Sequence, residues 1–356
     1  MENEKKVSVM PATLEAFASA IMQAVGLRET DAQTVAWALV TANLEGVDTH
    51  GVSRLALYAR RVRAGLAKAR PELRWTHPAP AVALLDADNA LGPIAAKAGM
   101  DEAVRIARQQ GVGMTAIGHT NHVAALSAYT EQAAAQGCIG IMTCNTPPAM
   151  PPWGGRVPFF GTNPLAFSAP GATRDEPPVV VDMATSIVAR GNIIMAARQN
   201  QPIPEDWAVD ATGQPTTDAE AALAGAVLPM AGAKGYALAL MIEILSAILP
   251  GTSWGSQVRS PYDDWEKPTD SGIWCLAIYL GAVISAREYT THLGDMLAAL
   301  REAPAAPGKS IRVPGEQRAR IRAVREVEGV PLDATTLAEL DALSNEVGVA
   351  ALERNG

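Results

Sequence analysis

An α/β domain carried on helices from both chain ends is the fold class this sequence predicts. Three observations predict it. Apolar residues recur at helical spacing over the first 65 or so residues and again after about residue 286. Between those stretches, short apolar runs alternate with helical segments, the texture of an α/β domain. Pro71, Pro78 and Pro80 stand where the first texture gives way to the second.

The first helix, over residues 11–26, places Leu14, Phe17, Ile21 and Val25 on one stripe. A second is marked by Thr30 and Gln33 at capping-box spacing, by Ala36, Leu39, Val40 and Asn43 on one face, and by Gly46 as its stop. A third begins at Ser53, a favourable N-cap. Residues 82–86 then read as a strand, 95–110 as a helix and 112–117 as a strand. Gly118-His119-Thr120-Asn121-His122 follows as a polar loop opening an Ala-rich helix. Residues 138–145 and 165–169 are strands, and the run at 179–182 ends in Asp182, with Met183-Ala184-Thr185-Ser186 opening a helix. Residues 201–219 read as a surface excursion and 237–249 as the longest apolar helix. A strand near 275–284 and helices over 286–301, 317–327 and 335–346 complete the chain.

The 356 residues are 48% apolar, enough for two domains and a sizeable core. A formal charge of −8 argues against a nucleic-acid or anionic-membrane surface, which needs clustered positive charge. The basic runs, Arg60 to Arg63 and Arg318 to Arg325, read as solvated helix faces. Cys138, Cys144 and Cys275 have neither paired nor metal-ligand spacing and read as buried thiols. Without a signal peptide or a long uninterrupted apolar run, a reducing cytoplasm is the expected setting.

Chemistry concentrates first at Gly46 to Arg54, where His50 sits between a hydroxyl residue and a glycine in the break between two helices. We read it as a general acid/base beside a carboxylate clamp made by Arg54, free helix-start amides and Tyr58. The plainer alternative is a solvated arginine and an ordinary loop histidine. His119 and His122 have H-x-x-H spacing but no third ligand nearby, so His122 reads as a substrate-pocket residue instead of a zinc ligand. Asp182, at the end of a buried strand, needs a partner. Either it orients His50, as an aspartate does in hydrolase triads, or it caps a helix. Gly161-Thr162-Asn163-Pro164 and the glycine-rich helix start at Lys234 suit phosphate recognition. The P-loop and Rossmann glycine spacings are both missing, so any nucleotide site is of another kind.

Taken together, Asp48-Thr49-His50-Gly51 with Arg54, Asn121-His122, Gly161 to Pro164, Asp182-Met183-Ala184-Thr185, Pro204 to Asp210, Pro215 to Asp218, Lys234-Gly235-Tyr236 and Pro314-Gly315-Glu316 resemble the type 2 malate/L-lactate dehydrogenase family over nearly the whole chain. The Gly161 to Pro170 and Tyr262-Asp263-Asp264 stretches lean toward its ureidoglycolate branch. The resemblance implies a homodimer that binds NAD or NADP without a Rossmann fold and moves hydride between nicotinamide and a small 2-hydroxy or 2-oxo acid of the malate, lactate or ureidoglycolate type. It implies a largely antiparallel seven-stranded sheet in an α/β domain over 76–301, with a helical domain from 1–75 and 302–356. It assigns His50, Thr49 and Asp182 to catalysis and Arg54 and His122 to the substrate, beside the Tyr58 that helical spacing places on the Arg54 face. Asn121, Thr162, Asn163, Pro164, Met183, Ala184, Thr185, Ser186, Lys234 and Gly235 fall to the cofactor. Reduction of a cyclic 2-imino acid, and a ligand-binding protein without catalysis, stay open as alternatives. Ala124, Ala237, Asn192 and Ile278-Tyr279-Leu280 depart from the family pattern.

Overall fold

A computed structural model describes residues 7–173 and 175–354. The chain opens with β1 (Val7–Val9), α1 (Pro11–Ala24) and α2 (Glu29–Leu44). α1 buries Leu14, Phe17 and Ile21 as their stripe predicts. The capping box expected at Thr30 is not formed. Thr30 lies inside α2 and its carbonyl accepts the Thr34 hydroxyl, while Glu29 and Asp31 supply the negative charge that a helix start favours. Two 3₁₀ turns, Asp48–His50 and Val52–Arg54, separate α2 from α3 (Leu55–Arg63). The N-cap of α3 is Arg54, not Ser53, whose hydroxyl instead donates to the Asp48 carbonyl.

β2 (Arg74–Ala79) forms where the prolines suggested a break. It is an edge strand of the sheet, a position that tolerates Pro78 because one row of backbone groups needs no partner there. β3 (Val82–Ala90), α4 (Gly92–Gln110), β4 (Val112–Thr120), α5 (Ser127–Ala135), β5 (Cys138–Cys144), β6 (Leu165–Ala169) and β7 (Val179–Met183) follow. The helix expected at Met183 is absent. Residues 184–189 form a loop bridged at Ser186 to Pro229, and α6 (Arg190–Arg198) starts later. β8 (Ala208–Val209), α7 (Ala219–Ala224) and β9 (Ala226–Val227) make a small satellite with its own apolar cluster. α8 (Ala233–Glu243), continued by a π turn Ile244–Ile248, precedes β10 (Ser271–Tyr279), α9 (Ala286–Glu302), α10 (Glu316–Glu328), β11 (Val330–Leu332) and α11 (Ala334–Val347).

The main sheet has seven strands in the order β2-β3-β4-β10-β5-β6-β7, and of its pairs only β3–β4 is parallel. Because β10 runs antiparallel to both β4 and β5, one end of the sheet gathers Thr120, Ser271, Cys144, Leu165 and Met183. The loops leaving that end carry the candidate site. Ile278 and Tyr279 pair with Val112 and Cys138 at the opposite end, so that departure from the family pattern lies away from it. β1 pairs with β11 and joins the two chain ends, and one apolar cluster runs from α1, α2 and α11 through α4 to the sheet. The three cysteines are free and buried. No described helix is long and apolar enough to cross a membrane.

Candidate active site

The turn bearing His50 is fixed by Asn43, a residue of α2. Its amide donates to Asp48 (2.7 Å) and its oxygen accepts the Val52 N–H (2.8 Å), so one side chain clamps both 3₁₀ turns. Gly51 is required between them, because a Cβ there would lie 2.2 Å from the Asn43 oxygen. Gly51→Ala is therefore expected to destabilise the fold by about 1–3 kcal/mol, as overpacking does, lowering the urea midpoint. An unchanged midpoint would show that the clamp is dispensable.

His50 is half-buried, and its Nδ1 lies 3.0 Å from the Thr49 hydroxyl. Burial and the nearby Arg54 and Arg318 charges push its pKa down to about 4, leaving it neutral at pH 7. Its ring stacks beside that of His122, 5.7 Å between centroids. Burial also lowers the pKa of His122, with His50 and Arg54 adding to the effect. The Arg54 Nε donates to the Thr49 carbonyl (2.7 Å), and the guanidinium lies 5.2 Å from the centre of the Tyr262 ring. Among the described residues no hydrogen bond engages the two Nη atoms of Arg54. Tyr58 does not stand beside it as an open phenol: it is 1% exposed and its hydroxyl lies 2.7 Å from His122 Nδ1. His122, distant in sequence, thus stands beside His50 and Arg54.

Asp182 is placed differently from the reading in which it orients His50. Its carboxylate accepts the Ser127 N–H (3.0 Å) at the start of α5 and lies 3.7 Å from Arg318. Among the described residues no hydrogen bond joins it to His50. A helix start and a guanidinium compensate its charge, although burial still raises its pKa. Arg318 provides the link between the two, since it touches Asp182 and its field acts on His50.

The basic runs are solvated only in part: Arg60, Arg63 and Arg320 are exposed, whereas Arg61, Arg318, Arg322 and Arg325 are engaged by the protein. Arg61 is buried and donates to the carbonyls of Pro261, Asp264 and Lys267, holding the loop that carries Tyr262. Arg318 and Arg322 pair with the buried Glu45, and Arg325 pairs with Asp48 at 2.6 Å, so α10 is bolted to the end of α2 and to the His50 turn. Sequence reading missed Glu45, although an acid at a helix C-terminus opposes the macrodipole and signals a partner. It also missed Glu243, an isolated charge in an apolar helix. Glu243 is buried and accepts from Asn163 (2.6 Å), Asn145 (3.3 Å) and the Gly255 N–H (2.7 Å), joining three loops at the site end of the sheet.

The residues expected to meet the cofactor fall into two sets. Thr162, Asn163, Pro164 and Met183 to Ser186 share one ridge, because Leu165 pairs with Met183 and Thr185 bonds the Thr162 carbonyl. Met230 N–H reaches the Thr185 carbonyl and brings the Lys234 loop alongside. Gly235 is needed there, since its Cβ would meet the Met230 carbonyl at 2.1 Å. Asn163 and Thr185 are buried with their polar groups engaged by the protein, while Met183 and Lys234 are exposed, and Ala184 is half-buried. Ser186 bonds the Val188 carbonyl. Asn121 stands apart, buried, with its amide donating to Asn89 and Ala90 and its oxygen without a partner among the described residues. His119 pairs with Asp270 (2.9 Å) instead of joining His122.

A malate/L-lactate dehydrogenase family model matches residues 9–341, nearly the whole chain. The chain belongs to the malate/L-lactate dehydrogenase family. It is 39% identical over 308 residues to the ureidoglycolate dehydrogenase (NAD(+)) of Escherichia coli K12, covering 86% of this chain and 87% of that one. It is 36% identical to the (2R)-3-sulfolactate dehydrogenase (NADP(+)) of Chromohalobacter salexigens, over 92% and 95% of the two chains. The sulfolactate dehydrogenase structure from Methanocaldococcus jannaschii superposes with a TM-score of 0.90 at 34% identity, covering 97% and 98%. This member of the malate/L-lactate dehydrogenase family is an NAD(P)-dependent oxidoreductase of the 2-hydroxy acid type.

Proposed function

We propose that the site formed by His50, Arg54 and His122 interconverts a small 2-hydroxy acid and its 2-oxo acid. The observation that carries this reading is a neutral histidine held one turn from a guanidinium whose Nη atoms no hydrogen bond engages among the described residues. Arg54 binds the substrate carboxylate bidentately, which fixes the adjacent carbon. His50 takes the hydroxyl proton on oxidation and returns it to the developing alkoxide on reduction. Thr49 orients the His50 ring through Nδ1. Asp182 acts through Arg318, tempering the positive field at His50. The bound nicotinamide supplies or accepts the hydride. The residues available to the cofactor fit a dinucleotide: Lys234 is exposed and without an ion pair among the described residues, at the amide-rich start of α8, beside the Thr162 and Met183 ridge.

The same proposal includes a homodimer, supported by an apolar face on α8 and its π turn. Leu240, Ile244 and Ile248 follow at four-residue spacing and are 39%, 46% and 54% exposed, with Met241 and Leu249 beside them. It also includes the division into a helical unit of both chain ends (1–75, 302–356) and an α/β unit (76–301), supported by the β1–β11 pairing. A reducing cytoplasmic setting is supported by three buried thiols without a disulfide.

An absorbance assay of NADH or NADPH with pyruvate, oxaloacetate, sulfonated and branched 2-oxo acids and a cyclic imino acid, and in reverse with ureidoglycolate, tests the reading. Turnover of a 2-hydroxy or 2-oxo acid is expected. Turnover of the imino acid alone would overturn the substrate class, and silence with every acid would overturn the catalytic assignment.

The low pKa of His50 has a direction in pH. Oxidation needs the neutral ring, so its kcat/KM is expected to stay level from pH 8 downward and to fall only as pH nears 4. Reduction needs the protonated ring, so its kcat/KM falls as pH rises. Stability follows the same sign: the unfolded ring, with its ordinary 6.5, binds more protons between about 6.5 and 4, so the fold is weakened as pH drops through that window. A break near 6.5 in both directions of the reaction would contradict this.

A further inference from the structure

The ring of His122 has a direction that its neighbours fix. The hydroxyl of Tyr58 lies 2.7 Å from His122 Nδ1 and 3.2 Å from the His122 carbonyl. The backbone N–H of Ala124 lies 3.4 Å from the same Nδ1. An amide N–H only donates, so the Ala124 contact makes Nδ1 an acceptor and puts the ring proton of neutral His122 on Nε2. Ala124 itself holds a left-handed backbone, φ 64°, two residues after the histidine. That conformation is uncommon for a residue with a Cβ and is the natural place for glycine. Close by, Gly92 is packed against the His122 carbonyl, which a Cβ would meet at 2.2 Å, so the backbone of this turn is held from the other side as well.

We propose that Tyr58 and the Ala124 amide are a tautomer lock, which makes His122 a permanent Nε2–H donor to the substrate and leaves proton transfer to His50 alone. Tyr58 is thus a positioning residue that acts through His122 and is not itself a ligand group. The two stacked histidines divide their work. His50 has a hydroxyl neighbour that donates or accepts, so its ring is free to gain and lose a proton at either nitrogen. His122 Nδ1 has the Ala124 amide as a donor and the Tyr58 hydroxyl 2.7 Å away, and Nε2 has no hydrogen-bond partner among the described residues. A fixed donor selects for an acceptor on the substrate, a ketone, carboxylate, sulfonate or ureido oxygen, and disfavours an ammonium or other donor at that point. The tautomer stands on the geometry alone; the donation to substrate rests on the catalytic reading above.

Nitrogen NMR of the full-length protein labelled at histidine separates the two. There are five histidines, and His122→Gln assigns the resonances of the missing ring. At pH 7.5 without ligands, His122 Nδ1 is expected to resonate as an unprotonated ring nitrogen and Nε2 as a protonated one. The reverse would overturn the lock regardless of activity. In Tyr58→Phe the preference is expected to weaken. The KM for the acid should rise about tenfold, the scale of one hydrogen bond, with kcat and cofactor affinity nearly unchanged. Because a glutamine amide reaches the Nε2 position and an asparagine amide the Nδ1 position, His122→Gln should keep a lower KM than His122→Asn. Equal or reversed KM values, with the expected NMR pattern intact, would overturn the donation to substrate and leave the lock standing.

Discussion

His50→Ala is expected to lower turnover by about 10²- to 10⁴-fold, the usual worth of a positioned general acid or base. Cofactor affinity should be unchanged, since the ridge of Thr162, Met183 and the Lys234 loop does not involve the His50 turn. The variant is also expected to fold, because the turn is clamped by Asn43 and Arg325 and not by the imidazole. Losing the ring removes a group that resists protonation, so the acid-side loss of stability between about pH 6.5 and 4 should shrink in this variant. Steady-state turnover, fluorescence titration with reduced cofactor and thermal melts across pH check the three parts separately. Full activity in the variant would remove His50 from the chemistry.

Arg54→Gln is expected to act on the other half of the reaction, raising the KM for the acid roughly 10- to 100-fold. That range corresponds to about one hydrogen bond to a charged group, the glutamine amide keeping the other. The change has a second, opposite effect on proton transfer. Removing the Arg54 charge relieves one of the influences that hold His50 low, so the histidine titrates at higher pH. The pH profile of reduction should therefore move upward even as binding weakens. A variant with an unchanged KM would show that the carboxylate is held elsewhere, and an unmoved pH profile would show that Arg54 is too well screened to matter to His50. The stacking of Arg54 on Tyr262 makes Lys an imperfect substitute, because a point charge neither lies flat on the ring nor presents a fork.

Much of the fold was legible because periodicity reports burial directly. The Leu14, Phe17 and Ile21 stripe and the strand at Leu165–Ala169 needed nothing from the rest of the chain. Features set by distant partners were not legible. Pro78 suggested a break, yet it sits in an edge strand, and edge status depends on which strands pair. Thr185 and Ser186 suggested a helix start, yet their polar groups serve the Thr162 and Val188 carbonyls. The arginines of α10 looked like a solvated face because their partners, Glu45, Asp48 and Asp182, lie more than a hundred residues away. The same distance explains the site. His50 and Arg54 were visible as a local motif, and His122 as a polar residue after a strand. That Asp182 meets Ser127 and Arg318 instead of His50 depends on how β7, α5 and α10 pack, which no local pattern states.

The division of labour at the site is most directly tested by following a labelled hydride through a single turnover. Enzyme mixed with reduced cofactor carrying deuterium on the transferred C4 position, and with the 2-oxo acid that turns over best, should give product with deuterium on C2. His50→Ala should retain that label in whatever product it forms while the rate collapses, because the imidazole moves only the proton on oxygen. Product in which C2 carries solvent hydrogen would contradict direct transfer from nicotinamide, and an undiminished single-turnover rate in His50→Ala would contradict the role of His50.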